Sequence, residues 1–161
     1  MRFSSNGEAL EPPIEVKMIG RVKNDVEEGR VGNWREMISE IVLKDEYEQL
    51  LDGIEEFSHI VVVFWMNRVE GYRPKVHPRG RQDIPEQGVF ATRTPNRPNP
   101  IGISSVRLIK REGASLTVAG LDCFDGTPVL DIKPFTPKSL EIADIRIPEW
   151  MEDLFKKDRN P

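Results

Sequence analysis

The sequence predicts a mainly β fold, in which a single sheet is curled into a β-barrel and small helices lie at its margins. The observations behind this prediction are of two kinds. Short apolar segments, several of them rich in β-branched residues, recur along the chain between turns that contain glycine or proline. Helical spacing of apolar residues is confined to short, charged segments. A chain of 161 residues is long enough for one domain with a sizeable core.

The first third of the chain contains two predicted strands and one predicted helix. Ile14–Val22 alternates apolar and polar residues for most of its length, which is typical of a half-buried strand. The polar segment Asn24–Asn33 is interpreted as a loop. Met37–Leu43 is interpreted as a second strand, although a short helix would also fit its apolar run. The apolar spacing in the charged segment that follows predicts a short amphipathic helix over Asp45–Leu51, broken at Gly53.

The middle of the chain contains the most apolar segment, Ser58–Met66, which is predicted to be a central strand buried on both faces. The long loop Val69–Gln87 is rich in glycine and proline, and a connection of this length is usually functional or mobile. Two further strands, Ile101–Arg111 and Ala114–Asp122, are predicted to form a hairpin around Glu112–Gly113.

The last third is predicted to contain one more strand and a helix. Asp125–Pro128 has the composition of a tight turn, because the Asp-Gly pair adopts positive φ at little cost. Val129–Pro134 is predicted to be a strand, and Pro148–Lys157 a short helix that starts with proline and ends in lysines. The chain is thus divided into an N-terminal tail (1–13), a barrel domain (14–137) and a C-terminal extension with a short helix (138–161).

The stretch Gly88–Gly102 is the segment on which the functional interpretation of the sequence is centred. Its prolines fix φ and restrict the residues before them, so a stiff, non-helical loop is predicted. Such a loop presents donors that lose little entropy when a polar ligand binds. These donors are Arg93, Asn96, Arg97 and Asn99. The alternative is a proline-rich connection between two strands whose arginines are simply solvated.

Charge is unevenly distributed along the chain. The net charge of −4 argues weakly against a general nucleic-acid binder. Between Arg68 and Arg97, however, seven basic residues stand against three acidic ones, a local charge of +4. One face could therefore attract a partner that carries phosphates. A solvated, arginine-rich loop is the alternative.

Several classes of function are not indicated by the sequence. No apolar run is long enough to span a membrane, and the first residues do not resemble a signal peptide, so a cytoplasmic location is expected. Zinc-site spacing, a Walker loop, a GxGxxG motif and a GxSxG elbow are absent, and no metal is expected. His59 is interpreted as a hydrogen-bonded structural residue and His77 as solvent-exposed. Cys123 is interpreted as a small core residue.

Two long motifs, Gly88–Gly102 and Leu121–Pro134, resemble the TsaA-like family, whose characterised members are S-adenosylmethionine-dependent tRNA methyltransferases. The segments Ile19–Gly20 and Phe57–His59 also match, and the resemblance covers roughly Ile14–Pro137. It implies a single-sheet β-barrel unlike the doubly wound methyltransferases, and a homodimer with the cofactor near the subunit interface. It also implies the reaction, which is methylation of N6 of the threonylcarbamoyl-adenosine beside the tRNA anticodon.

The resemblance assigns a set of cofactor contacts to this chain. They are Asn67, Arg68, Arg93, Ile103, Cys123, Phe124, Asp125 and Gly126. The best candidate for an RNA contact is Arg97, and a diffuse phosphate-attracting patch is expected from Arg73, Lys75, Arg79 and Arg81. No general base is nominated, because methyl transfer depends mainly on in-line placement of the reacting atoms.

This chain departs from the family pattern in two places. Asn67–Arg68 stands where some bacterial members have a histidine-glutamine pair, and Glu28–Arg35 is shorter than the corresponding proline- and glutamine-containing segment. Two other functions therefore remain open. One is a non-catalytic module that binds S-adenosylmethionine or RNA, and the other is a methyltransferase for small molecules.

Overall fold

A computed structural model describes residues 14–26, 34–136 and 143–159. Its secondary structure consists of eight strands, one α-helix and several short 3-10 turns. The strands are β1 (Gly20–Lys23), β2 (Ile38–Leu43), β3 (His59–Trp65), β4 (Lys75–Val76), β5 (Gln87–Gly88), β6 (Ile101–Glu112), β7 (Ser115–Ala119) and β8 (Pro128–Pro134). The helix is α1 (Glu149–Arg159). Six strands form a closed antiparallel barrel in the order β1-β2-β7-β6-β3-β8, while β4 and β5 form a separate two-stranded ribbon.

The barrel closes around an apolar core to which all six of its strands contribute. Successive side chains of a strand point to opposite faces, so every second residue of an apolar strand can be buried inside. In β3, Ile60 and Val62 are fully buried and Phe64 nearly so. Burial of side chains of this size stabilises a fold by about 1.5–3 kcal/mol each. The other strands contribute Val22, Ile41, Leu43, Val106, Leu116, Val118 and Val129.

Most of the predicted elements are confirmed. β2 is a strand rather than a short helix, and β6 and β7 form the predicted hairpin, with Gly113 at a φ of +58°. Asp45–Leu51 is helical but forms a 3-10 helix, and it stops before Gly53, which lies at a φ of +82°. The helix predicted from Pro148 begins at Glu149. The mainly β barrel predicted from the sequence is therefore the observed fold.

Other predicted strands differ from the observed ones in their boundaries or in their burial. β1 begins at Gly20 instead of Ile14, and Ile14–Lys17 is exposed because no neighbouring strand pairs with it. β7 ends at Ala119 instead of Asp122. β3 is central, but only one of its faces is buried and the other is half-buried, since a barrel strand has an inside and an outside.

The remaining predictions concern the connecting loops and the N-terminal tail. The loop Val69–Gln87 is not structureless, because it includes β4, the first residue of β5 and a 3-10 turn over Pro78–Gly80. The tail 1–13 and residues 27–33 of the predicted loop Asn24–Asn33 lie outside the described residues. Among the described residues, no helix is long and apolar enough to cross a membrane.

Gly20 allows β1 and β2 to approach closely where the barrel closes. A Cβ atom at this position would collide with the carbonyl oxygen of Val42 and lie 2.8 Å from Cα of Leu43. Both are backbone atoms that cannot rotate away, so we expect Gly20→Ala to destabilise the fold by about 2–3 kcal/mol. Urea unfolding followed by circular dichroism measures this. Gly88→Ala is the matched control, since its Cβ meets nothing within 4 Å and its φ is −56°, and a Gly20→Ala loss no larger than that of Gly88→Ala would contradict the prediction.

Candidate functional site

A cleft of about 690 Å³ lies where β3 leaves the barrel and β6 enters it. Its floor contains barrel residues such as Phe64 and Gly102, and its sides come from the loops 76–79 and 92–97 and from α1. Two hydrogen bonds join chain segments around the barrel end of this cleft. The N–H of Met66 donates to the carbonyl of Pro100 at 2.8 Å, and the N–H of Val89 donates to the carbonyl of Pro74 at 3.0 Å.

The proline-rich loop on one side of the cleft has its own internal hydrogen bonds. The buried hydroxyl of Thr92 donates to the carbonyl of Val89 at 2.9 Å. Arg97 donates through Nη1 to the carbonyls of Thr92 at 2.9 Å and Thr94 at 3.3 Å, and its guanidinium lies 5.8 Å from the ring centre of Phe90. After a short 3-10 turn over Val89–Ala91, the loop is irregular, as its prolines predict. Arg97 thus stabilises the loop from within.

Arg93, Ile103 and Asp122 meet inside the cleft. The Nη2 group of Arg93 donates to the carbonyl of Ile103 at 3.3 Å. Partial burial raises the pKa of the Asp122 carboxyl above its usual value, and the positive charge of Arg93 opposes that rise. An acid whose pKa is raised by burial, and which lies near a cation in a cleft, is a candidate for a functional site.

Asp122 is a site residue that sequence reasoning missed. It stands between Leu121 and Cys123, whose side chains are buried. Residues on either side of it point inward, so the side chain of Asp122 points away from the core and into the cleft. The alternation of apolar and polar residues in Leu121–Cys123 is the signal that could have found it.

The turn Cys123–Gly126 forms a second group of candidate residues next to the cleft. The guanidinium of Arg68 lies 4.7 Å from the ring centre of Phe124, and it donates to the carbonyl of Asp125 at 3.3 Å. Trp34 packs edge-on against Phe124, with their ring centres 6.3 Å apart. Gly126 has a φ of +75°, which confirms the turn predicted here. A cation, two aromatic rings and a tight turn therefore lie together.

Asn24 holds this turn against the rest of the barrel. Its backbone N–H donates to the Asp125 carboxylate at 3.0 Å, and its side-chain amide donates to the carbonyl of Cys123 at 3.2 Å and to the hydroxyl of Ser39 at 3.0 Å. Asn24 is followed by Asp25 and Val26, and the N–H of Val26 donates back to the Asn24 side chain at 3.0 Å. The position of the turn therefore depends on a residue about a hundred positions earlier in the chain.

The structure places most of the predicted cofactor contacts in these two adjoining groups. Arg93 and Ile103 line the cleft, whereas Arg68, Phe124, Asp125 and Gly126 belong to the turn group. Asn67 is exposed and follows β3, and its N–H donates to the carbonyl of Trp65. Cys123 is buried, and burial raises the pKa of its thiol to about 12. Its side chain is therefore an inert core group, as predicted, and its backbone carbonyl accepts the hydrogen bond from Asn24.

The two histidines differ in their surroundings. His59 is exposed at the start of β3, and its Nδ1 is 3.0 Å from the hydroxyl of Ser58. His77 was predicted to be solvent-exposed, and this is wrong. It is half-buried, lines the cleft and donates from Nδ1 to the carbonyl of Ile84 at 2.8 Å. The loop folds back on itself through this bond, which the sequence does not reveal.

The residues predicted to contact RNA lie in several environments. Arg73 and Lys75 are exposed on the loop that leads into β4. Arg79 lines the cleft and has a positive φ of +53°, which is uncommon for a residue with a side chain. Arg81 pairs with the carboxylate of Asp83, and this hydrogen bond raises the pKa of Arg81. Whether any of them binds RNA stays a prediction.

The chemistry of these groups fits S-adenosylmethionine. Its carboxylate suits the guanidinium groups of Arg68 and Arg93, its adenine suits an aromatic surface such as Phe124, and its amino and sulfonium charges suit the carboxylate of Asp122. Among residues 14–26, 34–136 and 143–159, no group of three or more acidic, histidine or cysteine side chains has the arrangement of a metal site.

Comparisons with known proteins identify what the chain is similar to. The model of the tRNA-methyltransferase O N-terminal domain (TrmO_N) matches residues 27–140. An S-adenosyl-L-methionine-binding protein of Archaeoglobus fulgidus is 40% identical over 129 residues, which are 80% of this chain and 90% of that protein. The mouse tRNA (adenine(37)-N6)-methyltransferase is 46% identical over 104 residues, 63% of this chain but 22% of that protein.

A solved structure has the same fold. The crystal structure of TrmO from Pseudomonas aeruginosa superposes with a TM-score of 0.71 at 30% identity, covering 89% of this chain. The match covers 64% of the length of that TrmO chain. This chain therefore spans less than two thirds of that solved relative.

Proposed function

This chain belongs to the family of the tRNA-methyltransferase O N-terminal domain, and on that premise we propose that it is an S-adenosylmethionine-dependent tRNA methyltransferase. Its proposed reaction is methylation of N6 of the threonylcarbamoyl-adenosine next to the anticodon. The observation that carries the proposal is the meeting of Arg93, Ile103 and Asp122 in a cleft beside the Cys123–Gly126 turn. Relatives named for S-adenosylmethionine binding and for tRNA methylation support it.

S-adenosylmethionine supplies a methyl group bonded to a positively charged sulfur. We propose that Arg68, Phe124 and the Cys123–Gly126 turn hold its adenosine part, and that Arg93 binds its carboxylate. The turn brings backbone groups close to the ligand because Gly126 has no side chain and a positive φ. Arg93 is oriented by its hydrogen bond to the Ile103 carbonyl, so little freedom is lost when it binds.

Asp122 is suited to receive the proton that N6 must lose when it gains a methyl group. Its carboxylate lines the cleft, and Arg93 favours its charged form. Partial burial raises its pKa, and a base whose pKa lies nearer to the working pH accepts a proton more readily. We therefore assign Asp122 the role of proton acceptor in the proposed reaction.

We propose further that the protein acts as a homodimer in the cytoplasm. The outward face of β6 exposes Ile101, Ile103 and Ile109, and Ile101 and Ile103 pair with the half-buried Trp65 and Val63 of β3. This apolar face borders the cleft, so a second copy seated on it would cover the cofactor side of the site. Light scattering after gel filtration tests the oligomeric state, with Ile103→Glu expected to produce monomers.

The experiment that tests the function is transfer of labelled methyl from S-adenosylmethionine to tRNA with and without the threonylcarbamoyl group. Label on the modified tRNA alone would establish both reaction and substrate. Label on neither, with cofactor binding confirmed by calorimetry, would contradict the proposal. It would leave a binding module, which the names of several relatives favour, or a methyltransferase for a small molecule.

The exposed cations Arg73 and Lys75 are predicted to attract tRNA phosphates without touching the cofactor. We expect the double alanine variant to raise the KM for tRNA about tenfold and to leave S-adenosylmethionine affinity unchanged. Each lost phosphate contact should also make the slope of log affinity against log salt shallower by about 0.7–0.9. Binding titrations at several salt concentrations measure both effects.

The control for this prediction is Lys110→Ala. Lys110 is also exposed, but it lies towards the hairpin end of β6, far from Ile101 and the cleft, where it pairs with Glu112 at 2.7 Å. An unchanged salt slope in the Arg73, Lys75 variant, or an equal change in the Lys110 variant, would argue against a localised phosphate patch.

A further inference from the structure

The helix α1 forms one wall of the cleft. Four of its side chains line the cavity, and their spacing places them on one face of the helix. They are Trp150, Met151, Leu154 and Phe155. Leu154 is buried at 7% exposure and anchors the helix, whereas 46% of the Phe155 surface is accessible. An aromatic ring that is held in place but still exposed at a cavity is available to a ligand.

The start of α1 also borders a second cavity, outside the cleft. A smaller cavity of about 340 Å³ lies between the start of the helix and the segment 81–85, and Trp150 borders both cavities. Arg81 is attracted to Asp153 of the helix as well as to Asp83 beside it. The start of the helix therefore lies beside the loop that also carries His77 and Arg79 into the cleft.

The wall formed by α1 is not part of the domain that defines the family. The family match ends at residue 140, and α1 begins at Glu149. The residues assigned to S-adenosylmethionine all precede residue 140. A cofactor shared by the family is expected to be held by the shared domain. The aromatic wall therefore suits another ligand, which enters the same cleft.

The side of the cleft formed by the loops is cationic. Arg79 and Arg97 line it, beside Arg93, which is assigned to the cofactor, and the loop residues Thr94 and Pro95. A flat apolar wall next to a row of guanidinium groups is the combination that binds single-stranded RNA, in which a base stacks on an aromatic ring while cations contact the backbone. Every base can stack on such a ring through its π-face, whereas the negatively charged phosphates are bound by the arginines.

We propose that Phe155 on α1 is a stacking platform for an unpaired base of the RNA substrate, held in the cleft between the helix and the proline-rich loop. This subsite rests on the proposed function, because it takes the tRNA anticodon loop as its occupant. It deepens that function by assigning a binding role to a segment beyond the family domain. Phe155 orients the RNA in the cleft that Asp122 and Arg93 also line.

The test compares Phe155→Ala, Phe155→Leu and Phe155→Tyr in the full chain. Binding of a labelled RNA stem-loop with the anticodon-loop sequence is measured by fluorescence anisotropy, and binding of S-adenosylmethionine by calorimetry. Stacking of one base on an aromatic ring is lost in the alanine and leucine variants, so we expect both to bind the RNA about tenfold more weakly. The tyrosine variant keeps the flat ring and should bind within about twofold of the unchanged protein.

Leu50→Ala is the matched control. Leu50 is 78% exposed on the 3-10 helix Asp45–Leu51, does not line the cleft, and its loss should change neither affinity. If Phe155→Leu binds the RNA with full affinity, the helix contributes only apolar contact and not aromatic stacking. That result would overturn the stacking proposal. Loss of S-adenosylmethionine affinity in the alanine and leucine variants would overturn it too, because the ring would then belong to the cofactor site.

Failure of this inference is distinguishable from failure of the proposed function. RNA binding is measured without any methyl transfer, so a Phe155-dependent RNA affinity supports the subsite even if no tRNA is methylated. Conversely, if Phe155→Ala leaves the methylation of tRNA unchanged, the proposed function stands and the proposed subsite is rejected. Absence of any RNA binding by the unchanged protein would reject the subsite outright.

Discussion

Replacing Asp122 with asparagine is expected to lower kcat for tRNA methylation by about 100-fold. General base catalysis by a positioned side chain contributes about 10²–10⁴-fold to a rate, and an amide of the same shape cannot accept the proton of N6. Asparagine keeps the shape and volume of the side chain, so the cleft should keep its shape. Single-turnover methylation of modified tRNA at saturating S-adenosylmethionine measures the effect on the chemical step, and calorimetry measures the S-adenosylmethionine affinity separately.

The pH dependence of the rate separates a proton acceptor from a residue that only positions Arg93. The folded-state pKa of Asp122 is raised, so protonation begins at a higher pH than for an ordinary aspartate. The rate of the unchanged enzyme should therefore fall as the pH drops through that pKa, because the protonated acid cannot accept a proton. This acidic limb should be missing in Asp122→Asn. An acidic limb of equal size in both proteins would contradict the assignment.

Replacing Arg93 with alanine is expected to weaken S-adenosylmethionine binding by about 100-fold. Hydrogen bonds to charged groups contribute about 1.5–3 kcal/mol, and a guanidinium can bind a carboxylate through two parallel bonds. Arg93→Lys should recover only part of the affinity, since an ammonium group lacks the planar fork. Calorimetric titration of the three proteins gives the affinities directly.

Controls for Arg93 must account for its structural contact. Arg93 also donates to the Ile103 carbonyl, so a thermal melt should show that the alanine variant remains folded. Arg73→Ala removes an exposed arginine outside the cleft and should leave the cofactor affinity unchanged. Equal affinity of the Arg93→Ala variant and the unchanged protein would refute the assignment of Arg93 to the cofactor.

The two groups of site residues owe their proximity to the barrel. Arg68 follows β3 and the Cys123–Gly126 turn precedes β8, and these two strands are direct neighbours in the sheet. Ile103 lies on β6, the other neighbour of β3, opposite Val63. One end of three adjacent strands therefore carries both groups. Changes that disturb this end of the barrel are expected to affect both groups together.

Local patterns in the sequence determined most of the fold. A run of apolar and β-branched residues is a property of neighbouring residues, so β2, β3 and β8 could be located without any knowledge of their partners. Turn chemistry is equally local, and the Asp125–Gly126 turn was found in the same way. The motif Gly88–Gly102 identified the family, which the match over residues 27–140 confirms.

Only the tertiary structure decided how these elements form a site. The start of β1 depends on which of its residues find partners on β2 and β8, and the alternation of Ile14–Val22 does not contain that information. His77 is half-buried because its loop folds back onto Ile84, and Arg97 turns its guanidinium towards loop carbonyls. Such contacts join groups whose positions depend on the folded chain and not on residue type.

The cleft, too, was predicted in part from the sequence and was otherwise determined by the tertiary structure. The sequence by itself determined that Arg93 stands on a stiff loop and that a short helix ends the chain. That Asp122 faces Arg93, and that α1 carries Phe155 to the same cavity, followed only from the closed barrel. The physical reason is that periodicity and turn preferences act over a few residues, whereas a cleft is formed by segments that are far apart in the chain.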